Sequence, residues 1–394
     1  MKPLTFRQLP ASLRHTVQAF LREENPPHPV LLFSVQRLLE NISVFREQME
    51  VDRLFFPVKV NNHPDVLGIL RQAGLSFEIA SLSEWEILQQ LPIPASDVLF
   101  GNPIKIEQHI ARTAQAGVRT FAADTESELA KIERYAPGAG IYLRLAVSNR
   151  GAQWELSEKF GCPVGEAVPL FRWAQDLHLQ PVGISFHVGW NNTHMATWEQ
   201  AVKDSLQVIE DCRAASIPLR FLNIGGGFPA HLVDAHALLQ QIARTLNPFL
   251  AHIRSKYGME IYAEPGSFLV ADAAVVVTRV IGVVRREQRT WVYVDTGINQ
   301  GFQWIMGGVE YAVISPHEEE GPLVEYVVSG PTCDSHDVFS QQAPLGRDLK
   351  TGDFLLIYPA GAYVTSAKTY NGFDYPEMRL AGSIGDPPCP NCPK

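Results

Sequence analysis

The chain has 394 residues, of which 46% are hydrophobic and 19% charged, which excludes a disordered protein and asks for more than one core. The net charge of -9 leaves no basic footprint for nucleic acid or an anionic membrane. No apolar run approaches the ~18 residues of a membrane span, and Met1-Lys2-Pro3-Leu4-Thr5-Phe6-Arg7 lacks the apolar centre of a secretory signal, so the expected location is the cytoplasm. The five cysteines are an odd set, mostly far apart, and predict no disulfide framework. Cys389 and Cys392 form a CxxC in a proline-rich tail. A zinc site would need two more ligands and none is close by, so no metal is expected.

Residues 1–34 read as a lead-in that ends in a strand, Val30 to Ser34, followed by an amphipathic helix from Val35 to Met49. Strands and helices then alternate. Strands are predicted at Leu54–Val60, Phe77–Ala80, Val98–Phe100, Thr120–Ala122, Ile141–Val147, Val182–His187, Phe221–Ile224 and Glu260–Ala263. The helix after Phe77–Ala80 is expected to open at Ser83 as its cap. Each repeat takes roughly 20 to 40 residues, and about eight parallel strands predict an α/β protein built on a (β/α)8 barrel. Beyond about residue 270 the segments Ala273–Val284, Trp291–Asp295, Val324–Ser329 and Phe354–Tyr358 read as strands with few helices between them. The expected division is a barrel over 35–272 and a β-rich domain made of 1–34 and 273–394.

Chemistry in such a barrel belongs at the C-terminal ends of the strands. Lys59 closes Leu54–Val60. In a strand it is either an edge lysine reaching water or an amine held in a pocket to bind a carbonyl cofactor. Glu78 lies on the next strand and Arg144 on a later one. His187 is either a satisfied core histidine or a flat ring that stacks on a ligand. Gly225, Gly226 and Gly227 after a strand make either a tight turn or a cradle of backbone N–H groups for a phosphate. Glu264, followed by Pro265 and Gly266, is either a solvated carboxylate or the partner of a protonated ring nitrogen. Together an amine, a phosphate cradle and a pyridinium partner describe pyridoxal phosphate.

Several stretches resemble the ornithine/diaminopimelate decarboxylase family, the barrel-type pyridoxal phosphate enzymes. They are Phe56-Pro57-Val58-Lys59-Val60-Asn61, Ser185-Phe186-His187-Val188-Gly189, Asn223-Ile224-Gly225-Gly226-Gly227-Phe228-Pro229, Glu264-Pro265-Gly266, Gly330-Pro331-Thr332-Cys333-Asp334 and Gly361-Ala362-Tyr363, with Tyr370-Asn371-Gly372-Phe373 after them. The likeness runs from about residue 30 to residue 380, and Leu156-Ser157-Glu158-Lys159-Phe160-Gly161 is most similar to the ornithine decarboxylase branch. The resemblance implies a pyridoxal phosphate-dependent α-decarboxylase. Lys59 would bind the cofactor covalently, Glu264 would keep its ring nitrogen protonated and His187 would stack on its face. Gly225, Gly226, Gly227, Gly266 and Tyr363 would hold the phosphate, with Arg144 and Glu78 as a polar wall. Cys333 would protonate the substrate carbon from the partner's side of a head-to-tail homodimer, and Asp334 would meet the distal amine of a basic substrate.

The sequence departs from this pattern in three places. The family has an arginine after Glu-Pro-Gly, where this chain has Ser267, which offers only a neutral hydroxyl. A phosphate-binding serine usually follows His-Val-Gly, where this chain has Trp190, a candidate wall for the substrate pocket. The second substrate-binding aspartate of ornithine decarboxylases falls at Gly307-Gly308, with Glu310 close by. A desolvated ammonium wants several acceptors, so the expected substrate is either an ornithine- or lysine-like amino acid or one conjugated at its side-chain end, such as a citryl-amino acid of siderophore biosynthesis. Racemase chemistry on a related barrel is disfavoured, because that pattern sets arginine against the ring nitrogen. A catalytically dead regulatory homologue is also disfavoured, because Lys59, His187, Glu264, Cys333 and Tyr363 are all present.

Overall fold

A computed structural model of the chain describes residues 4–154, 158–230, 234–317, 323–345, 349–366 and 377–382. It divides into two compact units, Met1–Asn41 with Leu269–Lys394, and Ile42–Phe268. Cys389, Cys392 and the segment Tyr370–Phe373 fall outside the described residues.

Strand β1 (Val30–Ser34) belongs to the first unit. The second unit is a closed barrel of eight parallel strands: β2 (Arg53–Pro57), β3 (Ser76–Ile79), β4 (Val98–Phe100), β5 (Thr120–Ala123), β6 (Gly140–Arg144), β7 (Gln180–Ser185), β8 (Phe221–Asn223) and β9 (Glu260–Ala263). The ring closes where Arg53 and Leu54 pair with Tyr262 and Ala263. These strands are short apolar runs because both of their faces are covered, one by helices and one by the barrel's own interior. One buried cluster takes Phe55, Leu99, Ala122, Tyr142, Val182, Phe221 and Tyr262. Residues drawn from strands all round a closed sheet can meet only inside it. Their rings stack in series, Phe221 on Tyr262 at 4.5 Å and Phe55 against Tyr262 at 5.0 Å, and the Arg53 guanidinium covers Phe55 at 5.1 Å. The barrel is therefore plugged, and its chemistry is confined to the loops beyond the strand ends.

Two local expectations need correction. The strand carrying Lys59 ends at Pro57, and Lys59 sits on a single tight turn, Val58–Val60. A strand ending there turns Lys59 off the sheet and over the barrel mouth. The helix after β3 spans Leu82–Leu88 and is capped by Ser81, whose hydroxyl accepts from the Glu84 N–H, so Ser83 is not the cap.

In the first unit the order of strands is β12 (Ala312–Ile314), β15 (Phe354–Tyr358), β10 (Ala274–Arg286), β11 (Arg289–Val294), β13 (Val324–Ser329) and β14 (Val338–Leu345), with β1 joining β10 to β16 (Glu377–Ala381). The lead-in also contains a helix, Ala11–Glu23, whose Leu13 and Val17 pack with Phe6, Leu32, Val275 and Leu356. The N-terminal segment thus completes the core of the β-rich unit. Among the described residues no helix is long and apolar enough to cross a membrane.

Phe221→Ala would open a hole in the barrel interior at a cost of about 3–5 kcal/mol. Urea unfolding of the cofactor-free protein should show the barrel transition moved to lower denaturant, and an unmoved transition would contradict the plugged barrel.

Candidate active site

The barrel mouth gathers charge around Lys59. Its ammonium donates to Glu78 Oε2 at 2.9 Å, with about half of the lysine side chain exposed and Glu78 buried. Burial works against this ammonium, but Glu78, Glu84 and Glu264 outweigh it, and its pKa is raised. A second buried lysine shows by contrast what a structural one looks like. Lys105 has no exposed side chain, pairs with Glu128 at 2.8 Å and donates to the carbonyls of Asn102 and Ala122. Lys59 has one carboxylate partner and an open approach, as a reactive amine requires.

Glu264 stands one residue past β9 and is oriented by Asn223, which donates to its Oε1 at 2.7 Å. The carbonyl side of the same Asn223 accepts from the Gly225 N–H at 2.9 Å, and the Glu264 N–H donates to the Gly225 carbonyl at 2.8 Å. One asparagine therefore locks the carboxylate to the glycine turn. Burial, followed by the Glu78 charge, pushes Glu264 up to about 7. Glu84, held by the Ala80 N–H at 2.6 Å, is also pushed up to about 7, by burial and then by Glu78. Sequence reasoning missed Glu84 and Asn223. Glu84 carried a signal, lying three residues after the cap Ser81, but only as a capping residue.

His187, two residues past β7, accepts from the Gly189 N–H through Nδ1 at 3.1 Å, and Asn149 holds its carbonyl. Burial, then Arg144 and Lys59, lowers its pKa to about 3, so the ring is neutral. Arg144 ends β6, and burial lowers its pKa against the pull of Glu264 and Asp124. The glycine turn lies against this ring: a Cβ at Gly226 would sit 2.7 Å from the Glu264 carbonyl and 3.3 Å from His187 Nε2. Only glycine allows the turn to approach the Glu264 carbonyl and the His187 ring this closely. Pro265 and Gly266 continue the turn, and a Cβ at Gly266 would press on Val60 beside Lys59. Trp190 and Ser267 are both buried, and the Trp190 indole N–H donates to Ser267 Oγ at 3.3 Å. An accessible amine, an oriented carboxylate, a neutral flat ring and a bare glycine cradle fit pyridoxal phosphate.

The remaining sequence candidates lie on the other unit. Cys333 is an exposed free thiol. Asp334 accepts from the His336 N–H at 2.9 Å and lies 3.1 Å from the ring nitrogen of His336. Their loop hangs on Asp337, which sequence reasoning missed. This buried carboxylate accepts from Ile298 N–H at 2.7 Å and from the Thr332 hydroxyl at 2.6 Å. Gly308 is a left-handed cap, and Glu310 is exposed. Tyr363 has a left-handed backbone (φ 65°) and sets its ring edge-on to Trp304 at 5.7 Å.

The pKa directions carry a stability consequence for the cofactor-free protein. Glu264 and Glu84 hold their protons in the folded state up to about 7, while unfolded carboxylates lose theirs near 4.5. The folded state thus binds more protons between those values, and stability falls as pH rises through that window. The melting temperature should decline from pH 5 to pH 7, and Glu264→Gln should flatten part of the decline. An unchanged slope in the variant would show that Glu264 ionises normally.

Comparison with known proteins agrees with this geometry. The family profile "Pyridoxal-dependent decarboxylase, pyridoxal binding domain" matches residues 35–271. The chain is 33% identical over 350 residues to a lysine/ornithine decarboxylase of Selenomonas ruminantium, covering 88% of each chain. It is 32% identical over 343 residues to the ornithine decarboxylase of Mus musculus, covering 82% of this chain and 74% of that one. The structure of a lysine/ornithine decarboxylase from Vibrio vulnificus complexed with putrescine superposes with a TM-score of 0.85 at 28% identity, covering 95% of this chain and 99% of that one. The fold, the barrel mouth and these likenesses agree: the chain belongs to the pyridoxal-dependent decarboxylase family and is a carboxy-lyase whose cofactor is pyridoxal phosphate.

Proposed function

We propose that the chain removes the α-carboxylate of an amino acid whose side chain ends in an amine, with L-ornithine and L-lysine as the leading substrates. The observation that carries the reading is the Lys59–Glu78 pair beside the Asn223-oriented Glu264. Similarity to lysine/ornithine decarboxylases over most of both chains supports the substrate class. Bound pyridoxal phosphate supplies the electron sink for the charge left when CO2 departs. The protein's own groups do the rest. Lys59 holds the cofactor, and Glu78 and Glu84 stabilise its ammonium whenever it is free. Glu264 keeps a proton on the ring nitrogen, which a carboxylate does best when Asn223 fixes one of its oxygens. The neutral His187 ring covers a flat face without adding charge. Arg144 faces Glu264 across the polar wall.

The turn of Gly225, Gly226, Gly227 and Gly266 shapes the phosphate cradle, its Gly225 and Gly266 N–H groups spent on Asn223 Oδ1 and the Glu264 carbonyl, and Ser267 and the Tyr363 hydroxyl serve the phosphate. Cys333 delivers a proton to the substrate carbon, and Asp334, with Glu310, receives the distal amine. In this reading the working form is a homodimer in which the Cys333 loop of one copy serves the barrel of the other.

A second reading has a specific observation behind it. A Cβ at Gly308 would meet nothing within 4 Å, and Asp334 is already engaged by His336. A glycine in place of a second carboxylate and a preoccupied Asp334 suit a substrate whose side-chain end is conjugated.

CO2 release from a panel of L-ornithine, L-lysine, L-arginine, meso-diaminopimelate and citryl conjugates of small diamino acids separates the readings. Turnover of ornithine or lysine is expected, and silence on both with turnover of a conjugate would replace the first reading by the second. Mixing inactive Lys59→Ala with inactive Cys333→Ala should restore part of the activity through mixed dimers. No recovery would remove the shared site.

A further inference from the structure

The cofactor's phosphate has two negative charges to place, while the charged groups described at the barrel mouth cluster around Lys59. Lys59, Glu78, Glu84, Glu264 and Arg144 influence one another around the amine. Among the described residues, the atoms nearest a Cβ built at the glycines of the cradle belong to backbone, apolar side chains and the His187 ring. That ring is neutral, its pKa lowered to about 3 by burial. Trp190 and Ser267 bracket the cradle. Ser267 directly follows Gly266, and Gly227 packs on the carbonyl of Gly189, the residue before Trp190.

Their hydrogen bond has a direction. An indole N–H can only donate, so Ser267 Oγ is the acceptor. The Ser267 proton must therefore point away from Trp190, and accepting one hydrogen bond makes the hydroxyl a better donor. The indole is fixed independently of any ligand. The Trp190 backbone N–H donates to the Trp154 carbonyl at 3.1 Å, the Gln153 backbone N–H donates to the Trp190 carbonyl at 2.9 Å, and the two indole rings lie 5.1 Å apart.

We propose that Ser267 donates its hydroxyl proton to the cofactor phosphate and that Trp190 aims it, forming a clamp of neutral donors that holds part of the bound phosphate as the monoanion. The inference rests on the cradle reading above and moves Trp190 from the substrate wall to the cofactor. A buried dianion among neutral donors is costly, and taking up one proton relieves it. Ser267 is the contact residue and Trp190 a positioning residue.

Two measurements on the full chain test it. Equilibrium binding of pyridoxal phosphate, read by absorbance, is compared for wild type, Ser267→Ala, Trp190→Phe and the double variant. One hydrogen bond is worth about a ten-fold change in affinity. Each single variant should lose about that much, and the double variant should lose no more than Ser267→Ala alone, because the two act through one bond. Additive losses, or no loss in Ser267→Ala, would overturn the clamp. Phosphorus NMR of the holoenzyme should show a bound resonance that titrates with a midpoint above the ~6 of a free phosphate ester. A resonance fixed at the dianion position across the pH range would also overturn it. Gly226→Val separates this proposal from its foundation. If that variant binds cofactor as wild type does, the cradle reading fails. If it binds poorly while Ser267→Ala does not, only the clamp fails.

Discussion

A lysine ammonium among three carboxylates is the constraint on which the rest of the barrel mouth depends. Removing Lys59 from water is unfavourable, and Glu78, Glu84 and Glu264 together more than offset it. The offset leaves the carboxylates under mutual repulsion, which, after burial, is why Glu264 and Glu84 rise to about 7. The cluster is therefore balanced with one amine charge present and shifts its protons when that charge is withdrawn. In the proposed role Lys59 would alternate between a charged amine and a covalent bond, and such a counterbalance would serve it. The fully consumed Lys105 could not provide it.

Closure of the sheet turns that cluster into a site. Glu78, Arg144, His187 and Glu264 come from β3, the end of β6 and the loops after β7 and β9, far apart in sequence. Parallel pairing from β2 to β9 and back to β2 brings all these ends to one rim. The stacked interior of Phe55, Phe221 and Tyr262 blocks the barrel below, so the polar groups have one exit. The close approaches are backbone constraints as well. A Cβ at Gly101 would overlap the Glu78 carboxylate, so the loop after β4 must carry glycine for Glu78 to reach Lys59.

In the proposed placement the two ends of the cofactor meet different physics. Charged groups concentrate at the amine and the ring, where charge moves during the reaction. At the proposed phosphate end the Trp190 indole N–H is spent on Ser267, which leaves the Ser267 hydroxyl as a neutral donor. Charge-assisted bonds are roughly twice as strong as neutral ones. A neutral cradle therefore relies on preorganisation, which the paired tryptophans and the Asn223 lock provide.

Much of this was legible in the chain itself. The barrel was, because eight apolar runs bounded by turn residues have few other ways to bury both faces. Lys59, His187, Gly225–Gly227 and Glu264 were, because each stands at or just past a strand end in a recognisable motif. Asn223, Glu84 and Asp337 were not. An asparagine inside a strand, a glutamate in a capping position and an aspartate in a loop are ordinary in sequence, and their roles arise only from the partners that folding delivers. The helix Ala11–Glu23 and the strands β12, β14 and β16 were missed for the same reason, since their faces are set by the sheet they join. The sequence by itself determined the barrel, the family and the candidate groups at the strand ends, because periodicity and motif are local properties. The tertiary structure alone decided which carboxylate pairs with Lys59, that Ser267 accepts from Trp190 and which way the pKa values of the site are pushed, because those depend on distances between residues that only ring closure brings together.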